Sequence, residues 1–369
     1  MYPVGVIGLG KMWIGLGVSV ALLALFLLTI DVRRMADALA DANYIWVIPA
    51  VALYLVSVVF RTLRWRVLLL HLKPVSVTRL FPVVVVGYMA NNILPMRLGE
   101  LVRSYYVGER EGISKSAALA TVFVERVLDA LTLMIFIVVI ALFIPLGGVA
   151  EGFGERSGVA WPLLVIGATL PFVAIFGVMV AVARYPVAAQ GVVNRIVRVL
   201  PGRVGGLASS LAATFILGLV PLKSARAIAL LFFLSVPIWL FEASLFYMIG
   251  ISFDLQSAVG GHDNLVVAVI LVTAVANIGG SVPAAPGGIG LFELIARETL
   301  VLLPLGLVDR AVAGGYAAVV HAALLLPMIL MGQGILWTDQ VSLKRLWRSG
   351  RLAEETAEYT AKEAGNSDQ

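Results

Sequence analysis

The sequence contains no cysteine and only three histidines, at positions 71, 262 and 321. It can therefore build neither a disulfide framework nor a cysteine-based metal centre, and a histidine-rich metal site is not expected. Charge is scarce too: 13% of residues are Asp, Glu, Lys or Arg, where a soluble domain carries about a quarter. There is no G-x-x-x-x-G-K-[ST] loop, so nothing points to ATP hydrolysis. The N-terminal "VGVIGLGKM" mimics the opening of a dinucleotide-binding fingerprint, but an apolar run follows it in place of a βαβ unit. No cofactor is expected.

What is present is apolar. Sixty per cent of the residues are hydrophobic and mean hydropathy is +0.99. Several runs reach the roughly 20 residues that cross a bilayer. The expectation is an all-α, polytopic integral membrane protein. The net charge of +5 needs no nucleic-acid partner, because Lys and Arg at membrane edges account for it.

The long apolar segments are 12–30, 44–60, 116–146, 161–183, 226–250 and 311–336. The first is too long for a signal-peptide core and reads as a retained span. Two segments differ: 80–95 ends at Pro95, and 264–303 is interrupted by "SVPAAPGGIG". Basic residues crowd 61–79, 97–115, 184–226 and 344–351, while 147–160 and 251–264 are acidic. The positive-inside rule then puts the basic loops and both termini in the cytoplasm, in a cell membrane. On that assignment 80–95 enters and returns as a re-entrant hairpin. For 264–303, either a hairpin turning at 283–290 or two full spans satisfies the parity. The count is six full spans plus two broken hairpins, or eight spans.

The two interruptions share a pattern. "NNILPMRLGELVR" has Pro95, then Gly99, Glu100 and Arg103; "PGGIGLFELIAR" has Pro286, then Gly290, Glu293 and Arg297. They lie about 190 residues apart. This suggests an inverted internal repeat, a feature of transporters whose broken helices surround the substrate. Unpaired backbone cannot face lipid, so such breaks line protein or a watery cavity. Helix N-termini exposed there attract anions.

Ionisable residues within spans are expensive and so become candidates for function. "FVERVLDAL" carries Glu125, Arg126 and Asp129; Glu242 and His321 sit in other apolar runs. Acid–arginine pairs tying helices together are the plainer reading of the first three, and a packed, hydrogen-bonded side chain that of His321. Arg64 and Arg66, beside Trp65, read as interface anchors. Residues 185–225 form a cytoplasmic insertion in which Arg195 and Arg198 mark a basic amphipathic helix on the anionic leaflet. The tail from 341 turns polar and is expected to be disordered from about 355.

"NNILPMRLGELVR", "FVERVLDALTL" and "PAAPGGIGLFE" together resemble the signature stretches of the lysylphosphatidylglycerol synthase transmembrane-region family, also called flippase-like. The resemblance spans about 10–340 and implies lipid translocation between leaflets. Some members carry a further aminoacyl-transferase or glycosyltransferase domain. The sequence shows neither, so the resemblance implies the translocation part alone and no enzyme, with a separate synthase or glycosyltransferase as a possible partner. Residues matching the motifs are Asn92, Pro95, Arg97, Gly99, Glu100, Arg103, Glu125, Arg126, Asp129, Pro286, Gly287, Gly288, Gly290 and Glu293. The expected substrate is an anionic or phosphate-bearing membrane lipid. Arg97, Arg103, Arg126 and Arg297 would hold its head group. Glu100, Glu125, Asp129 and Glu293 would pair with those arginines in its absence or carry protons. A carboxylate-based lipid-modifying enzyme and a scaffold for a separate synthase are the alternatives.

Overall fold

The computed structural model describes residues 23–26, 28–94, 98–143, 161–198, 202–280, 286–303 and 305–338. Most of the expected first span, the turn residues Pro95 and Arg97, the acidic loop 147–160 and the tail from 341 lie outside them.

The described residues are helical, with no strand among them. Twelve helices organise the fold: α1 (Val32–Asp41), α2 (Val47–Leu69), α3 (Val77–Ile93), α4 (Gly99–Glu111), α5 (Lys115–Phe143), α6 (Trp161–Arg184), α7 (Pro186–Val197), α8 (Gly202–Gly218), α9 (Ala225–Ser252), α10 (His262–Gly279), α11 (Leu291–Val301) and α12 (Arg310–Thr338). Local signals set the boundaries. Asp31 caps α1 by accepting from the Arg33 and Arg34 amides. Gly112, at φ 68°, ends α4 in the left-handed conformation that glycine adopts without strain.

By length and composition, four segments are able to cross a bilayer: Tyr44–Leu69, Ala225–Ser252, His262–Gly279 and Arg310–Thr338. The pair Thr169–Arg184 and Pro186–Val197, bent by 105°, makes a fifth if read as one span. The chain is thus a polytopic helical membrane protein, but the expected six full spans are not reached among the described residues. Segment 12–30 lies mostly outside them, and α5 carries Glu125, Arg126 and Asp129 within its 29 residues. One helix of the segment 264–303 is short. α11 has 11 residues and is about 16 Å long, half of a roughly 30 Å hydrocarbon core. Segment 264–303 is therefore one long arm and one short arm around a break.

The charge assignment needs a second correction. Arg61 and Arg64 do not sit in a loop or anchor an interface. They lie inside α2, 4% and 0% exposed. With Ser57, Trp65 and Leu68 they form its buried stripe at helical spacing.

The helices pack as two related halves. α2 packs on α9; α3 lies on α12 as α5 lies on α10. Likewise α2–α3 matches α9–α10, α3–α4 matches α10–α11, and α4–α5 matches α11–α12. Exchanging α2, α3, α4 and α5 with α9, α10, α11 and α12 therefore maps the contacts onto themselves. This is the two-fold relation that the paired interruptions predict. α6, α7 and α8 lie between the halves in sequence.

Candidate functional site

The two breaks meet. Gly287 adopts φ 63° in the 3-10 turn Pro286–Gly288. A Cβ there would come within 3.2 Å of the Asn92 carbonyl oxygen, at the end of α3. Gly99 begins α4 so close to α3 that a Cβ would run into the Gly87 carbonyl. Only glycine permits backbone to approach backbone in this way. A Cβ on Gly288 would face open space, although φ 74° still favours glycine there.

Around the meeting point lies a polar cavity of about 150 Å³. Arg61, Tyr88, Asn92, Arg126, Glu242, Gly287, Gly288 and His321 are in its wall. A second cavity, of about 300 Å³, shares Arg126, Trp239 and Asn277 with it. Its wall contains the polar Glu100 and Asp129 and the apolar Phe123, Leu133, Phe172 and Ile175. A polar chamber thus adjoins an apolar one, with Arg126 between them.

Behind this wall runs a buried charge network. Arg61 bonds Glu242 at 2.6 Å and lies 3.8 Å from Asp129. Arg64 meets Asp129 at 2.8 Å and Glu125 at 3.7 Å, and donates to the Ser235 hydroxyl at 2.8 Å. Arg103 bonds Glu125 at 2.8 Å, its guanidinium 3.7 Å from the Trp65 ring centre. Arg126 reaches Asp129 at 3.1 Å and Glu100 at 3.9 Å. Four guanidiniums face four carboxylates, so the cluster is formally neutral, as apolar surroundings demand. It is not saturated with hydrogen bonds. Nε and Nη2 of Arg64 and Arg103, and Nε of Arg126, are buried without a hydrogen-bond partner, and so are both carboxylate oxygens of Glu125 and of Asp129, which meet the arginines as ion pairs only. Guanidinium donors at such a site suit a phosphate or carboxylate.

Of the expected site residues, Asn92, Glu100, Arg126, Asp129, Gly287 and Gly288 line the two cavities, and Arg103 and Glu125 stand in the network behind them. Arg297 does not join them. It is 1% exposed, pairs with Glu298 at 2.7 Å and donates to the Phe26 carbonyl. Glu293, expected to pair with arginine, instead meets His321 at 2.7 Å and accepts the Gly290 amide. An acid three residues into a helix folds back on the N-cap more readily than it reaches across the bundle.

The model of the lysylphosphatidylglycerol synthase TM region matches residues 12–332. The chain belongs to this family. A UPF0104 membrane protein of Methanothermobacter thermautotrophicus is 34% identical over 128 residues, 34% of this chain and 38% of that one. A second UPF0104 membrane protein, from Methanocaldococcus jannaschii, is 33% identical over 122 residues, covering 32% and 36%. Glycosyltransferase AglD of Haloferax volcanii is 26% identical over 366 residues, 95% of this chain. The chain spans 57% of that relative's length. No solved structure matches. The AglD likeness overturns the expectation that the chain is not an enzyme, since a relative matched along nearly the whole chain is named for one.

Sequence reasoning missed Arg61, Trp239 and Tyr88 as cavity residues and left Glu242 without a partner. A signal for part of this was available. Arg61 and Arg64 are three apart on a face that also holds Ser57, Trp65 and Leu68, which marks them as one buried stripe.

Proposed function

We propose that the chain carries an anionic, phosphate-bearing membrane lipid between leaflets through the paired cavities. The observation that carries this reading is the junction of the two chambers at Arg126. One chamber is ringed by Arg61, Asn92, Arg126 and backbone at the two breaks; the other is lined by Phe123, Leu133, Phe172 and Ile175. A molecule with an anionic head and a hydrocarbon tail matches both, and neither a free ion nor an apolar ligand does. Arg61 and Arg126, the two arginines in the chamber walls, supply guanidinium donors, and the neighbouring carboxylates would take them back once the head group leaves. Both termini in the cytoplasm of a cell membrane, and a head-group role for Arg97, are part of the same proposal.

A second reading rests on the AglD likeness: sugar transfer onto a lipid head group in the same cavity, with Glu100, Asp129 or Glu242 as base. One reconstitution separates the two. The purified protein in liposomes receives a fluorescent phosphatidylglycerol or phosphatidylcholine, and leaflet exchange is read by quenching from outside. Transport predicts faster exchange of the anionic lipid, lost in Arg126→Gln. Exchange no faster than in protein-free liposomes would refute it. A new glycolipid by mass spectrometry, formed from an activated sugar donor, would support the second reading.

A further inference from the structure

His321 lies on α12 between the broken turn and α11, 4% exposed and stacked on the Phe292 ring at 4.3 Å. Both its nitrogens are occupied. Nε2 is 2.9 Å from the Gly287 carbonyl oxygen, and Nδ1 is 2.7 Å from Glu293 Oε1. The other carboxylate oxygen, Oε2, accepts the Gly290 amide at 2.7 Å. These contacts determine where protons sit. A carbonyl only accepts, so Nε2 carries a hydrogen. Nδ1 and Oε1 then need one more proton between them, because two lone pairs at 2.7 Å repel. It sits on the imidazole, as an imidazolium–carboxylate pair, or on the acid, beside a neutral ring. The proton count is the same in both.

We propose that Gly287, Glu293 and His321 form a binding site for one proton, and that this proton latches the broken turn to α12. Removing it leaves a neutral imidazole with a single N–H. If that hydrogen stays on Nε2, a bare Nδ1 faces a carboxylate; if it moves to Nδ1, a bare Nε2 faces the Gly287 carbonyl. Either way one of the two links is lost. Gly287, Gly288 and His321 are all in the wall of the polar cavity, so the latch holds part of that wall. The proposal goes beyond the transport reading and needs no substrate.

The other titratable groups facing this point have partners of their own. Across the cavity stand Tyr54 and Arg61 of α2, Tyr88 of α3, Arg126 of α5 and Glu242 of α9. Arg61 is held by Glu242 and Arg126 by Asp129. Arg297, one turn along α11, is held by Glu298. Among the described residues no second ion pair reaches His321 or Glu293.

The test uses the full chain in lipid nanodiscs. With no native cysteine, Ile289→Cys takes a single spin label on the turn, at a residue 40% exposed. Electron paramagnetic resonance then reads turn mobility across pH, with no lipid substrate added. The latch predicts an immobile label at low pH and a mobile fraction that grows about tenfold per pH unit below the midpoint, the slope of one proton. Glu293→Gln is the diagnostic variant. Its amide N–H donates to Nδ1 of a neutral ring and its oxygen still accepts from Gly290, so the turn stays fixed as the pH rises through the parent's midpoint. His321→Ala frees the turn at every pH. In the protein with histidine labelled by nitrogen-15, the resonance missing from His321→Ala must show a protonated Nε2 wherever the label is immobile. A label flat up to the pH of unfolding, a Glu293→Gln profile that tracks the parent, or an unprotonated Nε2 in the ordered turn overturns the proposal. Failure of lipid exchange alone leaves all three readouts in place.

Discussion

Arg103 and Glu125 offer the sharpest test of the buried network. Their side chains are 5% and 1% exposed and meet at 2.8 Å. In Glu125→Leu, Arg103 keeps its place over Trp65 but has no carboxylate at bonding distance among the described residues. A buried charge stripped of its partner costs about 3–5 kcal/mol. Arg103→Met strands Glu125 instead, with Arg64 at 3.7 Å as its remaining partner. It also loses the contact with Trp65, worth about 1–2 kcal/mol at a desolvated site. Arg103→Met should therefore be at least as damaging as Glu125→Leu. In the double variant no stranded charge remains, and Arg64 keeps Asp129 and Ser235. Its loss should shrink to about 1–3 kcal/mol, since buried pairs replaced by apolar side chains are often nearly neutral. The double-mutant cycle then gives a coupling of about 2 kcal/mol or more. Denaturant titration in detergent micelles, followed by far-ultraviolet circular dichroism, measures each value. Additive losses, with the double variant as weak as the sum of the singles, would refute the coupling between these two charges.

Ser235→Ala should cost about 1.5–3 kcal/mol by removing a hydrogen bond to a charged donor, while Ser244→Ala, whose hydroxyl only bonds the Leu240 carbonyl of its own helix, should stay within about 0.5 kcal/mol in the same titration. Gly287→Ala and Gly288→Ala both force a left-handed residue at about 1–2 kcal/mol; Gly287→Ala should melt lower, because only its Cβ presses on the Asn92 carbonyl, and equal melting temperatures would count against the contact between the breaks. Single cysteines at 76 and 206, both exposed, should react with a membrane-impermeant thiol reagent from the cytoplasmic side and one at 258 from the other; labelling of 206 from outside would reverse the topology. A peptide of residues 186–198 should prefer anionic vesicles by about 1 kcal/mol for each of Arg195 and Arg198, and sedimentation with neutral vesicles to the same extent would remove the electrostatic claim.

The class of protein was legible from composition, because a chain this apolar and this poor in charge has no soluble solution. The paired breaks were legible for a related reason: proline and glycine inside apolar runs are tolerated only where backbone is covered. Asn92, Glu100, Arg126, Asp129 and Gly287 could be picked out as candidates because polar or special residues stand out against an apolar background. Their partners were not legible. Arg61 and Glu242 are 181 positions apart, and nothing local to either says that α2 and α9 lie side by side. Counting Arg61 and Arg64 as loop charges followed from reading hydropathy alone, which sees a basic cluster and cannot see the carboxylates of α5 that neutralise it. Arg297 and Glu293 failed for the opposite reason. The repeat suggested that they mirror Arg103 and Glu100, but the two halves share a backbone plan without sharing their charges, and nearer partners took them: Glu298 for Arg297, His321 and the Gly290 amide for Glu293. A sequence determines which residues are too polar for their surroundings. Only the packing of the two halves decides which of them meet, because an ion pair is a contact in space and periodicity along one helix carries no information about the helix opposite.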